Sequence, residues 1–353
     1  MMEKFFKEAE RLRKLSKYRA ALKKYRHALK NAGDEEHELA CRMALGNTCR
    51  MTGDFNKAVG HYEAAVGLAG DLNKEAANDA SVGLALAKRA LGYWKESIAL
   101  LKKAEAFYKK NHDPEGAAFA LWAKAGALRI KGGIPEAYES FKEARNLFKT
   151  LGDKSGEGYC LCGMGGTARV LGRPARSLEH YKKANETLKE LKDTFGIAYS
   201  HCGIGNALRM QGDFDEAREQ FVRASQLYVR IGDVVSYAYT LWGLAKTHIM
   251  TGHSVLSYKY LKEARSLFKK TADPRGLIYC KLSIAEISAI RGNKARAKSL
   301  VDEAIKEAKD WGFAVEGCHA RALQFILDGG KPVECYKGLG LRLSYKTPPM
   351  NIP

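Results

Sequence analysis

The sequence predicts an all-α fold, a solenoid of about eight helix pairs ending in a C-terminal capping helix. Two beats in the chain predict it. Glycine recurs at Gly53, Gly92, Gly132, Gly172, Gly212, Gly252 and Gly292, in one step of 39 residues and then steps of 40. Aspartate recurs about half a period away, at Asp34, Asp71, Asp113, Asp153, Asp193, Asp233 and Asp273. A fixed period of this size means stacked copies of one small unit. The interleaving gives each unit one turn in its middle and another at its end. The third observation is what lies between the turns. Segments such as Asp54 to Ala65 place apolar or small residues at steps of three and four, on one helical face. Strict alternation is scarce and β-branched runs are short. Of the eight prolines, Pro348, Pro349 and Pro353 sit in the last few residues, so the long middle has few helix breakers.

Small residues keep the same register. Seven residues before each turn glycine stands Gly46, Ala85, Ala125, Gly165, Gly205, Ala245 or Ala285. Five after it stands Ala58, Ser97, Ala137, Ser177, Ala217, Ser257 or Ala297. Nine after it comes a large residue: Tyr62, Leu101, Phe141, Tyr181, Phe221, Leu261 or Val301. Twelve after it an alanine recurs, from Ala65 to Ala304. Small residues let two helix backbones approach, and the large one fills the gap between them. Glycine inside a helix costs roughly 0.5–1 kcal/mol against alanine. Its repetition in register therefore has a packing reason.

This small–small–aromatic–small spacing resembles the tetratricopeptide repeat. Residues 46–55 and 205–214 carry the resemblance most plainly. The 40-residue period exceeds the family's basic length and is similar to the long-repeat class of LGN/Pins-type adaptors and bacterial regulatory sensor domains. A degenerate first copy fits with Ala9, Ser16 in the glycine place, Ala21, Tyr25 and Ala28. One departure is Lys124, where other copies have Leu45, Leu84, Met164, Ile204 and Leu244. The resemblance implies a right-handed superhelix over residues 1–310. Its repeats span about 2–34, 38–71, 77–113, 117–153, 157–193, 197–233, 237–273 and 277–310. Residues 311–329 then read as a capping helix covering the last apolar face. Residues 330–353 form a non-repeat tail. It carries Leu341, Leu343, Tyr345, Met350 and Ile352 and is too apolar for a simple charged, disordered tail.

Composition fits this picture. A solenoid can extend to 353 residues without splitting into globular domains. No run of eighteen apolar residues predicts a membrane span. Met1 to Glu8 is charged and helix-like, unlike a signal peptide. Eight cysteines without small-domain spacing indicate a reducing compartment, and the chain reads as cytoplasmic.

The net charge of +19 calls for a partner. Lysine pairs Lys102-Lys103, Lys182-Lys183 and Lys269-Lys270 fall on the second helix of their units, which the family geometry turns outward. They are mixed with Glu105, Glu186 and Glu263 and read first as a solvated face. Attraction to nucleic acid or an anionic surface is the alternative. The first helices carry the sharper signal. Three residues before each turn position stands an arginine: Arg13, Arg50, Arg89, Arg129, Arg169 and Arg209. Ten residues before the arginine position in later units stand Phe119, Tyr159, Tyr199, Tyr239 and Tyr279. Between them run two more columns, one with Met43, Trp122, Cys162, Cys202 and Trp242, the other with Asn47, Gly126, Gly166 and Asn206. All share one helical face, which in the family lines the concave groove.

Forked arginine donors suit carboxylates and phosphates. The aromatics offer apolar surface and phenolic hydroxyls. Gly126, Gly163, Gly166, Gly203 and Gly243 are expected to keep the groove floor open. The expected function is therefore a non-enzymatic scaffold that binds an acidic peptide. The groove residues are Arg50, Arg89, Arg129, Arg169, Arg209, Phe119, Tyr159, Tyr199, Tyr239, Trp122 and Trp242. The resemblance to LGN-type adaptors adds Asn47 and Asn206 as ligands of a peptide backbone. Besides the convex lysines, a further alternative is self-association or autoinhibition through residues 345–353. Catalytic signals are weak. Cys160 and Cys162 diverge on a helix, as do His201 and Cys202, and the Gly163 to Gly166 and Gly203 to Gly205 runs lie within helices where no phosphate cradle forms. No metal, cofactor or catalytic residue is expected.

Overall fold

The computed structural model describes residues 1–70, 73–329 and 334–353. Among them lie 18 helices and no strand. Eight antiparallel pairs follow in order: α1 (Met2–Lys14) with α2 (Tyr18–Lys30), α3 (Glu35–Met51) with α4 (Phe55–Ala69), α5 (Lys74–Ala90) with α6 (Trp94–Lys110), and α7 (Pro114–Lys131) with α8 (Ile134–Thr150). Then come α9 (Lys154–Val170) with α10 (Pro174–Glu190), α11 (Thr194–Gln211) with α12 (Phe214–Ile231), α13 (Val234–Met250) with α14 (Ser254–Lys270), and α15 (Pro274–Ile290) with α16 (Lys294–Trp311). The single helices α17 (Ala314–Asp328) and α18 (Cys335–Gly338) complete the chain. Helix α16 runs through Trp311, and Gly312 at φ 68 ends it, so α17 starts later than the residues from Trp311 onward suggest.

Each beat has a local cause. The turn glycines all sit at positive φ, from 76 at Gly172 to 101 at Gly132, a region other residues enter at a cost. The aspartates are N-caps. Asp34, Asp113, Asp153, Asp193 and Asp273 each accept from a backbone N–H three residues on, at 2.8–3.0 Å. Asp233 accepts from the N–H groups of Val235 and Ser236. Asp71 lies outside the described residues, and Asn73 caps α5.

Consecutive helices pack on one another, and each odd helix from α1 to α15 also packs on the next odd one. The odd helices therefore form the inner wall, and the even helices form the outer layer. Lys102, Lys103, Lys182, Lys183, Lys269 and Lys270 stand exposed on that outer layer. Aromatic rings from the outer layer wedge between neighbouring inner helices. A Cβ on Gly165 or Gly203 would stand 2.7 or 2.1 Å from the Tyr181 ring. Phe221 sits likewise on Gly205 and Gly243, and Phe141 on Gly163. This corrects one expectation. Gly163, Gly203 and Gly243 do not open the groove floor; they admit buried rings from behind it. Lys124 also finds its reason, an ion pair with the buried Glu105 of α6.

The solenoid closes on itself within one turn. The α5–α6 turn at Gly92 meets Pro274 and Trp311, and the α7–α8 turn at Gly132 meets Ala314. Trp94 Nε1 donates to the Trp311 carbonyl at 2.9 Å, across 217 residues of sequence. Six cysteines are free and buried, while Cys318 is joined to Cys335, tying α18 to α17. That pair departs from the expectation of reduced cysteines throughout. Among the described residues, no helix is long and apolar enough to cross a membrane.

Candidate functional site

The arginine column lies on the inner wall, and closure of the solenoid turns that wall into a cavity of about 270 Å³. The cavity brings together Arg50, Arg89, Arg129, Trp122, Tyr159, Tyr199 and Tyr239 from the expected set. Gly126 is the seat for Arg89 and Gly166 the seat for Arg129. A Cβ at either glycine would fall 2.1 or 2.4 Å from the guanidinium Nη1. Each arginine thus lies across the next inner helix, which only a glycine there allows.

None of Arg50, Arg89, Arg129, Arg169 and Arg209 forms an ion pair among the described residues. Nearby acids are engaged elsewhere, Glu286 with Lys246 and Glu316 with Arg275. Arg89 donates only to the Ala123 carbonyl, at 3.2 Å. The Nε atoms of Arg50, Arg129, Arg169 and Arg209 are buried without a hydrogen-bond partner, as is Nη1 of Arg169. Burial, with Arg129 and Arg50 beside it, pushes Arg89 down to about 10. An anion entering this cavity would meet forked donors already desolvated and unpaired. Arg13, by contrast, pairs with Glu10 on its own helix and stands outside the set.

The aromatics divide. Phe119 is exposed and stacks on Trp122 with centroids 5.4 Å apart. Trp122 meets Tyr159 edge-on. The Tyr159 hydroxyl donates to the Asp193 carboxylate at 2.6 Å. Phe195, which the sequence did not single out, links Tyr159 to Tyr199 in the same wall. Tyr239 packs on Phe268 with centroids 4.7 Å apart. Trp242 corrects the expectation of a groove contact. It is 4 % exposed, packs on Tyr279 and donates to Ser283 Oγ on the next inner helix. Cys162, Cys202 and, one unit further on in the same column, Leu282 are also buried between inner helices, whereas Trp122 is not.

The asparagines also differ from expectation. Asn47 is exposed, its Oδ1 taken by the Tyr62 hydroxyl. Asn206 is buried and donates to the Cys202 carbonyl, while its Oδ1 accepts from Arg209 at 3.3 Å. It is not free for a peptide backbone. Arg209 is wholly buried over the Trp242 ring. Cys160 and Cys162 are buried thiols, and burial pushes Cys160 up to about 12. Sequence reasoning missed Asp233, Asp273 and Arg275, which line the cavity from the opposite side of the closed turn. Burial raises both aspartates above their ordinary range. Their beat was visible as a turn signal, but not that closure would bring them opposite the arginines.

The tetratricopeptide-repeat family pattern matches residues 196–270, four helices of the solenoid. No curated protein matches the chain in sequence. Among solved structures the chain is similar to a Rap protein complexed with competence and sporulation factor, with a TM-score of 0.62, 13% identity, and coverage of 96% of this chain and 98% of that one. It is similar to the Rap conjugation gene regulator of plasmid pLS20 in complex with the Phr* peptide, with a TM-score of 0.59, 12% identity, and coverage of 96% and 93%. NprR in complex with its cognate peptide NprX gives 0.59 at 15% identity, covering 87% and 89%. At these identities the likeness is one of fold. It does not confirm the LGN/Pins class.

Proposed function

We propose that this tetratricopeptide-repeat protein is a non-enzymatic binding scaffold that captures an acidic peptide segment in its arginine-lined cavity. The observation that carries the reading is the set of in-register arginines, buried in part and unpaired by any carboxylate of the described chain. A folded protein does not normally bury guanidinium groups without partners. A carboxylate-bearing ligand supplies them. Trp122, Tyr159 and Tyr199 add flat apolar surface beside the charges, suited to a segment mixing acidic and apolar residues. The similar solved structures support a peptide as the ligand, since two of them are described as peptide complexes.

The test uses a fluorescent peptide of alternating glutamate and leucine, read by anisotropy. Arg89→Ala with Arg129→Ala is expected to weaken binding by about ten-fold or more, as loss of charged hydrogen bonds requires. Replacing Lys102, Lys103, Lys182 and Lys183 by alanine is expected to change little beyond a salt-dependent background. The reverse pattern, especially with an oligonucleotide outcompeting the peptide, would move the function to the outer lysines.

A further inference from the structure

The chain's own C-terminal segment reaches the inner wall beside Arg209 and Glu286. After α18 the chain runs without regular structure from Leu341 to Pro353 along the inner wall. The Arg342 N–H donates to the Leu171 carbonyl at 3.2 Å. Arg342, Ser344, Lys346 and Thr347 are exposed, and the segment then re-enters the wall with Met350 1 % and Ile352 0 % exposed. Its bonds there are those of peptide recognition. The Met350 N–H donates to Glu286 Oε1 at 2.9 Å. The Ile352 carbonyl accepts from Arg209 Nη2 at 2.8 Å. The Asn351 amide is read twice: Oδ1 accepts from Arg209 Nη1, and Nδ2 donates to the Arg209 carbonyl at 2.8 Å.

Met350 and Ile352 join the hydrophobic core of the later helices, and two further features mark their seat. The wall supplies the shape, because between residues 342 and 353 the segment's one internal backbone bond among the described residues joins Ile352 to Met350. The wall is also ionic. Arg209, Lys246 and Glu286 are fully buried beneath the segment. These charged groups are the part of the seat that water can serve when it replaces the segment.

We infer that this part of the inner wall is a peptide-reading site for an extended apolar–asparagine–apolar segment, and that Met350 to Ile352 is its resident, exchangeable occupant. The buried Met350 and Ile352 side chains flank one amide recognised on both its oxygen and its nitrogen. Aspartate cannot replace that asparagine, since it has no donor for the Arg209 carbonyl. The site is separate from the Arg50–Arg89–Arg129 cavity, and the inference does not rest on the acidic-ligand reading.

The test uses a labelled peptide of residues 341–353 and the full-length chain. In a full-length variant carrying Met350→Ser, Asn351→Ala and Ile352→Ser, the seat is vacated. That variant is expected to bind the peptide at least about ten-fold more tightly than the wild-type chain, whose own segment competes. Adding Arg209→Ala, or using a peptide with Asn351→Asp, is expected to abolish the gain. A variant with unchanged circular dichroism that binds no better than wild type would overturn the inference. Should the triple variant misfold, hydrogen exchange on the wild-type chain decides. Excess unlabelled peptide is expected to strip protection from the chain's own Met350 amide, and protection that persists would overturn the exchange. An acidic probe that fails at Arg89 and Arg129 leaves both outcomes unaffected.

Discussion

Arg89 lays its guanidinium across Gly126 of the next inner helix, where a Cβ would stand 2.1 Å from Nη1. Gly203 meets Tyr181 at the same distance, but the obstacle there is a buried ring wedged between two helices. The two glycines therefore respond differently to alanine. Gly126→Ala moves the tip of a flexible side chain and gains up to about 1 kcal/mol of helix propensity. It is expected to keep the melting temperature and to weaken the acidic probe. Gly203→Ala overpacks a rigid site and is expected to cost about 1–3 kcal/mol. Thermal melts of both variants check this; equal losses would contradict it.

Lys246 and Glu286 form an ion pair with no exposure on either side, and Glu286 also accepts from the Met350 N–H. Lys246→Met leaves a buried carboxylate with one backbone donor. It is expected to destabilise by roughly 3–5 kcal/mol, and Lys246→Met with Glu286→Gln to recover most of that. Urea denaturation of the three proteins measures both steps.

His319 ties α17 to α18 through its Nδ1 and the Tyr336 hydroxyl, 2.8 Å apart. Burial pushes its pKa down from 6.5 to about 4, against the pull of Glu316. Between those values the unfolded chain binds the proton and the folded chain does not. Stability from this group is therefore full above the unfolded value and falls as pH drops toward the folded one. The size is about 3 kcal/mol. His319→Gln is expected to lose less stability than wild type between about pH 7 and about pH 4.5, as measured by denaturant titration. Identical pH dependence would exclude the effect.

The Trp94–Trp311 bond is one of the contacts that close the ring. Trp94→Phe is expected to cost about 1 kcal/mol, the worth of one hydrogen bond. Trp94→Glu places a charge against Trp311 and is expected to open the turn. Small-angle scattering would then show a larger radius of gyration with unchanged helix content. An unchanged radius would mean that the other turn contacts suffice.

Much of the fold was legible because its signals are local. A glycine beat marks positions that need positive φ, and an aspartate beat marks N-caps; both act within a few residues. The arginine column was legible for the same reason, since a helix fixes which residues share a face. Its use was not. Gly166 and Gly163 look alike in sequence, yet one seats Arg129 and the other a ring from the outer layer. Trp122 and Trp242 occupy one column, yet only Trp122 lines the cavity. Which fate applies depends on the neighbouring helix, not on the residue's own.

The sequence by itself determined the helix pairs, their period and the arginine column on one helical face, because periodicity and short-range hydrogen bonding decide these. Which face turns inward came from the family resemblance. Only the tertiary structure decided that the solenoid closes, that Asp233 and Asp273 face the arginines, and that Asn351 sits on Arg209. Those relationships join residues far apart in the chain. They depend on how small rotations add up from one pair to the next, a sum that no single repeat records.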